Sequence, residues 1–211
     1  MNEAQEITSE THIRAAFEQG DLQRSARLLL DAYGGEILRF LGSRLHDSEL
    51  ASEVFGDFTE DLWRGIAGFR WVCSARAWAY TLARHAASRA IRQSRRRGGR
   101  IVPLSRAGPL SEIAERVRSE TALSLRTQPR ERLVELRRSL PELEQTLLTL
   151  RVNRQLAWLE IARILTSGPL DGVMALPPEA LHAEATRLRK RFQKTKEKLR
   201  RLAAEAGLLG E

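Results

Sequence analysis

A chain of 211 residues with 42% hydrophobic and 29% charged side chains has enough apolar material for one or two folded domains and too much for a disordered polymer. Thirty-five Lys and Arg against 27 Asp and Glu leave a net +8, which favours an acidic partner such as nucleic acid. Cys73 is the single cysteine, which excludes an intramolecular disulfide and a cysteine zinc cluster, and no apolar run approaches the ~18 residues of a membrane span.

In chain order, residues 1–20 read as a polar, acidic N-terminal tail rather than a secretory signal. Asp21 is placed to cap a helix carrying Leu22, Ala26, Leu29, Leu30 and Tyr33. Gly34-Gly35 is expected to interrupt it before Ile37, Leu38, Leu41 and Leu45 continue the apolar face. Asp47 or Ser48 caps the next helix, where Leu50, Val54, Phe58, Leu62 and Ile66 recur every four residues. Glu49, Glu53, Asp57, Glu60 and Asp61 give that helix an acidic surface, closed by Gly65 and Gly68. Residues 69–74 form an aromatic loop, and Ser74 caps a third helix that runs out near Gly98-Gly99.

Residues 98–129 read as a linker, with Gly98, Gly99, Pro103, Gly108 and Pro109 and few apolar residues; 111–124 suits only a transient helix. Order is expected to resume near Pro129. Leu133, Leu136 and Leu140 form one stripe, and Pro141 starts a helix with Leu143, Leu147, Leu148 and Leu150. After a turn at Asn153 comes the short apolar helix of Leu156–Leu165, then a Gly- and Pro-containing insert at 166–178, then a last helix from about Pro178 to Ala206. The fold class expected is all-α, with a three- or four-helix domain at 21–97 and a helix-turn-helix domain at 130–211.

Two stretches suit nucleic acid. Eight arginines and no acid lie between Arg84 and Arg106, next to the aromatics Phe69, Trp71, Trp78 and Tyr80. Aromatic rings stack on unpaired bases and guanidinium groups neutralise phosphates; the competing reading is that the rings are core and the arginines a solvated tail. In the last helix Leu181, Ala185, Leu188, Phe192, Thr195, Leu199 and Leu202 share one face, while Arg187, Arg189, Lys190, Arg191, Lys194, Lys196, Lys198, Arg200 and Arg201 surround the rest. Glu197 is the only acid from 187 to 202, whereas a merely solubilising helix face mixes both signs. A helix packed on one side and cationic on the other is what a major-groove reader needs. The four histidines form no metal motif, and no nucleophile–base pair or phosphate-binding glycine loop is present, so neither a metal, a cofactor nor an enzymatic activity is expected.

The segment LWRGIAGFRWVCSARAWAYTLARHAA (Leu62–Ala87) resembles the end of region 2 of sigma-70 family sigma factors, specifically the extracytoplasmic-function (ECF) class. LPELEQTLLTLRVNRQLAWLEIARIL (Leu140–Leu165) with ATRLRKRFQKTKEKLR (Ala185–Arg200) is similar to the family's region 4. The resemblance implies a cytoplasmic transcription initiation factor that binds core RNA polymerase through the β′ coiled coil and the β flap. Such a protein melts and reads the promoter −10 element with region 2, reads the −35 element with region 4, and is commonly masked by an anti-sigma factor. By position, Glu53, Asp57 and Asp61 would contact polymerase. Arg76, Trp78, Tyr80, Arg84, His85, Arg89 and Arg92 would grip the −10 DNA, and Arg187, Arg189, Lys190, Arg191, Gln193 and Lys194 the −35 DNA. The chain departs from the family in having Gly56-Asp57 for a Gln-Glu pair, His85 and Arg89 for an Asn and an Asp, and a long helix-turn-helix connection at Thr166–Pro178. The alternatives are a helix-turn-helix regulator that binds duplex DNA without polymerase and a helical RNA-binding protein.

Overall fold

The computed structural model describes residues 3–96, 109–126, 131–167 and 176–207, and every regular element among them is helical. The helices are α1 (Glu3–Glu18), α2 (Leu22–Leu45), α3 (Ser48–Gly65), α4 (Ala75–Arg96), α5 (Ser111–Arg126), α6 (Glu131–Arg138), α7 (Glu142–Leu148), α8 (Trp158–Thr166) and α9 (Pro178–Glu205). They divide into two compact units, α1–α5 and α6–α9.

In the first unit, polar side chains set where the helices start. The Asp21 carboxylate accepts from the Arg24 amide at 2.9 Å, and Asp47 accepts from Glu49 and Leu50 at 2.9 and 3.0 Å. Between those caps α2 runs unbroken to His46, whose left-handed φ of 56° ends it. The expected interruption at Gly34-Gly35 does not occur. Gly34 is instead buried where another helix comes close: a Cβ there would lie 3.1 Å from Val117 of α5. The core consists of Leu29, Leu30, Tyr33, Ile37, Leu38, Phe40 and Leu41 of α2 with Val54, Phe55, Phe58 and Leu62 of α3 and Tyr80 and Leu82 of α4. Burying each such side chain contributes about 1.5–3 kcal/mol before chain entropy is set against it.

Two segments differ from the sequence expectation. Within the tail expected at 1–20, Glu3–Glu18 form a packed helix: α1 packs on α2 through Ile13 and Ala16, and Ser25 Oγ of α2 donates to the Ile13 carbonyl at 2.9 Å. The linker expected at 98–129 gives way, from Ser111, to α5, which lies on α2 and α3 with Ala114, Val117 and Thr121 buried. Arg118 of α5 reaches the Ser52 carbonyl at 3.3 Å and lies over the Phe55 ring. The run of Gly and Pro at 98–108 that suggested a linker lies outside the described residues.

In the second unit α7 continues into a π-helical turn at Thr149–Asn153, and Gln155, with φ 57°, completes the turn expected near Asn153. Leu147, Leu150, Ile161 and Ile164 are fully buried, and α9 adds Leu181, Ala185, Leu188 and Phe192 from one face. Most of the insert at 166–178 lies outside the described residues. Among the described residues no helix is long and apolar enough to cross a membrane, and no group of His, Cys, Asp and Glu could hold a metal ion.

Candidate nucleic-acid interface

The region around the aromatic loop is built from both sides. Phe69 stacks on Trp78 with ring centroids 4.6 Å apart, Trp71 meets Phe69 at 4.8 Å, and Phe17 of α1 meets Trp71 edge-on at 5.7 Å. The rings therefore spend their faces on one another. What the loop turns outward is Arg70 and Val72, the latter 46% exposed. Trp71 takes a left-handed φ of 55° to reach its place, a conformation that costs a bulky residue energy.

Three residues expected on DNA are interior. Arg76 is 7% exposed, Trp78 7% and Tyr80 0%. Every residue from Ala75 to Ala83 is buried, so the first half of α4 has no solvent face for them to share. Arg76 donates Nε and Nη2 to the two oxygens of Glu36 at 2.7 and 3.0 Å, and Nη1 to Glu6 at 2.7 Å. Burial alone would lower its pKa, but the Glu36 hydrogen bonds hold it above the ordinary arginine range, so the charge persists. Tyr80 packs edge-on against Phe40 at 5.3 Å. These are corrections: Arg76, Trp78 and Tyr80 hold the unit together and are not available to a DNA strand.

Further along α4 the helix emerges. Arg84 and His85 are half-buried, with Arg84 Nη2 donating to His85 Nε2 at 2.9 Å. Burial and then the Arg84 charge push His85 down to about 4, so its ring is neutral at physiological pH and acts as an acceptor. Arg89 pairs with Asp61 of α3, while Arg92 is exposed. Burial raises the Asp61 pKa against the opposing Arg89 contact. Asp61 thus faces α4 and is no outward polymerase contact, in contrast to its expected role. Glu53 and Asp57 are half-buried on α3.

In the second unit the cations of α9 divide by what they touch. Arg187 makes a bidentate contact with Glu184 at 2.8 Å on both nitrogens, and Arg191 approaches Glu144 of α7 at 3.6 Å. Arg189, Lys190, Gln193 and Lys194 are exposed on the side away from Leu188 and Phe192. Arg189 lies 6.0 Å from the centroid of the Trp158 ring, which Arg151 also covers at 5.3 Å and Phe192 meets edge-on at 5.4 Å. Trp158 and Arg151, both given no role in the sequence reading, pack beside α9; the signal was a tryptophan at the start of a short apolar helix.

The sequence also gave no role to Glu6, Glu10 and Glu36, which converge on the start of α4. Their partners lie 40 to 70 residues away, and nothing local marks them. With this geometry in place, comparison with known families shows that the family model for sigma-70 region 2 matches residues 29–97, spanning α2 from Leu29, α3, the aromatic loop and α4. No curated protein matches the chain.

Proposed function

We propose, from the match of residues 29–97 to sigma-70 region 2, that the chain is a sigma-70 family initiation factor of the ECF class that acts in promoter recognition with RNA polymerase. In this reading residues 21–97 bind the β′ coiled coil of core polymerase through the acidic surface of α3, with Glu53 and Asp57 as contacts. The same domain opens and reads the −10 element, using the loop tip of Arg70 and Val72 and the emerging cations Arg84, Arg89 and Arg92. Residues 130–211 bind the β flap and lay α9 in the major groove of the −35 element, with Arg189, Lys190, Gln193 and Lys194 toward the bases and phosphates. The protein is cytoplasmic and performs no chemistry of its own. An anti-sigma factor covering both surfaces is its expected regulator.

The observation that carries this reading is the coexistence, in one chain, of the region 2 match and a separate helical unit ending in a helix with cations on its exposed side. Each domain alone would hold DNA weakly. Polymerase, by binding both, converts the second contact into an intramolecular one and raises its effective concentration. Co-elution of the purified chain with core RNA polymerase tests the proposal. The complex is expected to form, and charge reversal of Glu53 and Asp57 to Lys is expected to weaken it at least tenfold, since like charge replaces complementary charge at an interface. A chain that binds duplex DNA but not core polymerase would instead be a helix-turn-helix regulator.

A further inference from the structure

The start of α4 is held by a residue far away in the chain. Glu10 of α1 accepts from the Ala75 amide through Oε2 at 2.8 Å and from the Arg76 amide through Oε1 at 2.9 Å. Ser74 Oγ accepts from the Ala77 amide at 3.1 Å. The first three amides of the helix, which have no partners within it, are therefore satisfied from outside, two of them by one carboxylate. That carboxylate is fixed in turn by the Tyr33 hydroxyl, which donates to Oε1 at 2.9 Å. Glu6, one turn earlier, holds the Arg76 guanidinium. One turn and two turns later, Arg14 lies over the Trp71 ring at 5.6 Å and Phe17 meets its edge.

One face of α1 thus clamps both the aromatic loop and the helix that follows it, although α1 lies outside residues 29–97. The clamped loop contains Trp71 in a left-handed conformation that such a residue adopts only where its surroundings over-determine it. Its outward groups, Arg70 and Val72, sit one on each side of that residue. We infer that α1 is a positioning element for the loop at 69–74, and that Glu10 is the residue by which it fixes the loop tip for capture of an unpaired base. This rests on the reading that the loop tip meets the −10 strand. Glu10 touches no DNA; it acts through the register of α4 and the shape of the loop, lowering the ordering that strand capture would otherwise require.

The test uses the full chain bound to core polymerase, with Glu10→Ala, Glu10→Gln and, separately, a loop-tip variant carrying Arg70→Ala and Val72→Ala. Amide hydrogen exchange reports the clamp, core binding reports the fold, and permanganate reactivity of unpaired thymines reports promoter opening. With Glu10→Ala, exchange at Ala75 and Arg76 rises, core binding is unchanged and opening falls about tenfold, the size of effect that a lost cap supports. Glu10→Gln, which keeps an acceptor without the charge, falls between. Normal opening with Glu10→Ala, while the loop-tip variant fails to open, overturns the inference and leaves the base-capture reading standing. Normal opening by the loop-tip variant removes both. A proportional loss of core binding and opening in both Glu10 variants makes α1 a brace for the fold and overturns the positioning role.

Discussion

Arg76 carries a full charge into the interior of the first unit, and three hydrogen bonds to Glu36 and Glu6 keep it there. Replacing it with Ala leaves those carboxylates without their cation, one of them largely buried, a change that typically costs about 3–5 kcal/mol. Arg76→Lys should lose most of that stability too, because an ammonium cannot match the two oxygens of Glu36 with a planar fork. Urea denaturation measures this, and a folded fraction of Arg76→Ala should bind promoter DNA as the parent does. Undiminished stability with weakened DNA binding would return Arg76 to the DNA surface. The sequence could not distinguish these roles. Arg76 and Tyr80, four apart, share one side of the helix and Trp78 lies on the opposite side, and that pattern alone does not tell a helix buried on all sides from an exposed one. By contrast, the exposure of Arg189, Lys190 and Lys194 was legible, because an apolar stripe on α9 fixes which side is left outside.

At the scale of elements, the caps were readable and the packing of the outer helices was not. Asp21, Asp47 and Ser74 each accept the amide bonds that their sequence positions suggested. Among the described residues, helices α1 and α5 bury only a few side chains: Ile13 and Ala16 in one, Ala114, Val117 and the polar Thr121 in the other. Such sets gain meaning only from their receiving surface. For α5 that surface includes Gly34, whose missing side chain admits Val117. Val117→Asp places a charge at a site 5% exposed and should cost about 3 kcal/mol. Thermal unfolding reads the loss, and limited proteolysis should then cut within 111–126. An unchanged melting temperature would mean that α5 contributes nothing to the first unit and that the segment serves only to connect.

For the whole molecule, charge divides between the two units, and the proposed function divides with it. The first combines an acidic α3 with cations emerging along α4; the second ends in a helix whose exposed side is cationic. Composition alone pointed to an acidic partner, and the two separate blocks of resemblance pointed to a factor that touches DNA twice. The central claim is that promoter selection needs both contacts and the polymerase that joins them. Run-off transcription by core polymerase with the purified chain, on a promoter library in which the upstream and downstream elements vary independently, tests it most directly. The account predicts initiation only where both elements are present. It further predicts that Arg189→Ala or Lys194→Ala lowers initiation through the upstream element by about 1–3 kcal/mol, with lost preference at one base position if the residue reads a base. Initiation indifferent to the upstream element, or none at all beyond that of core polymerase, would contradict it.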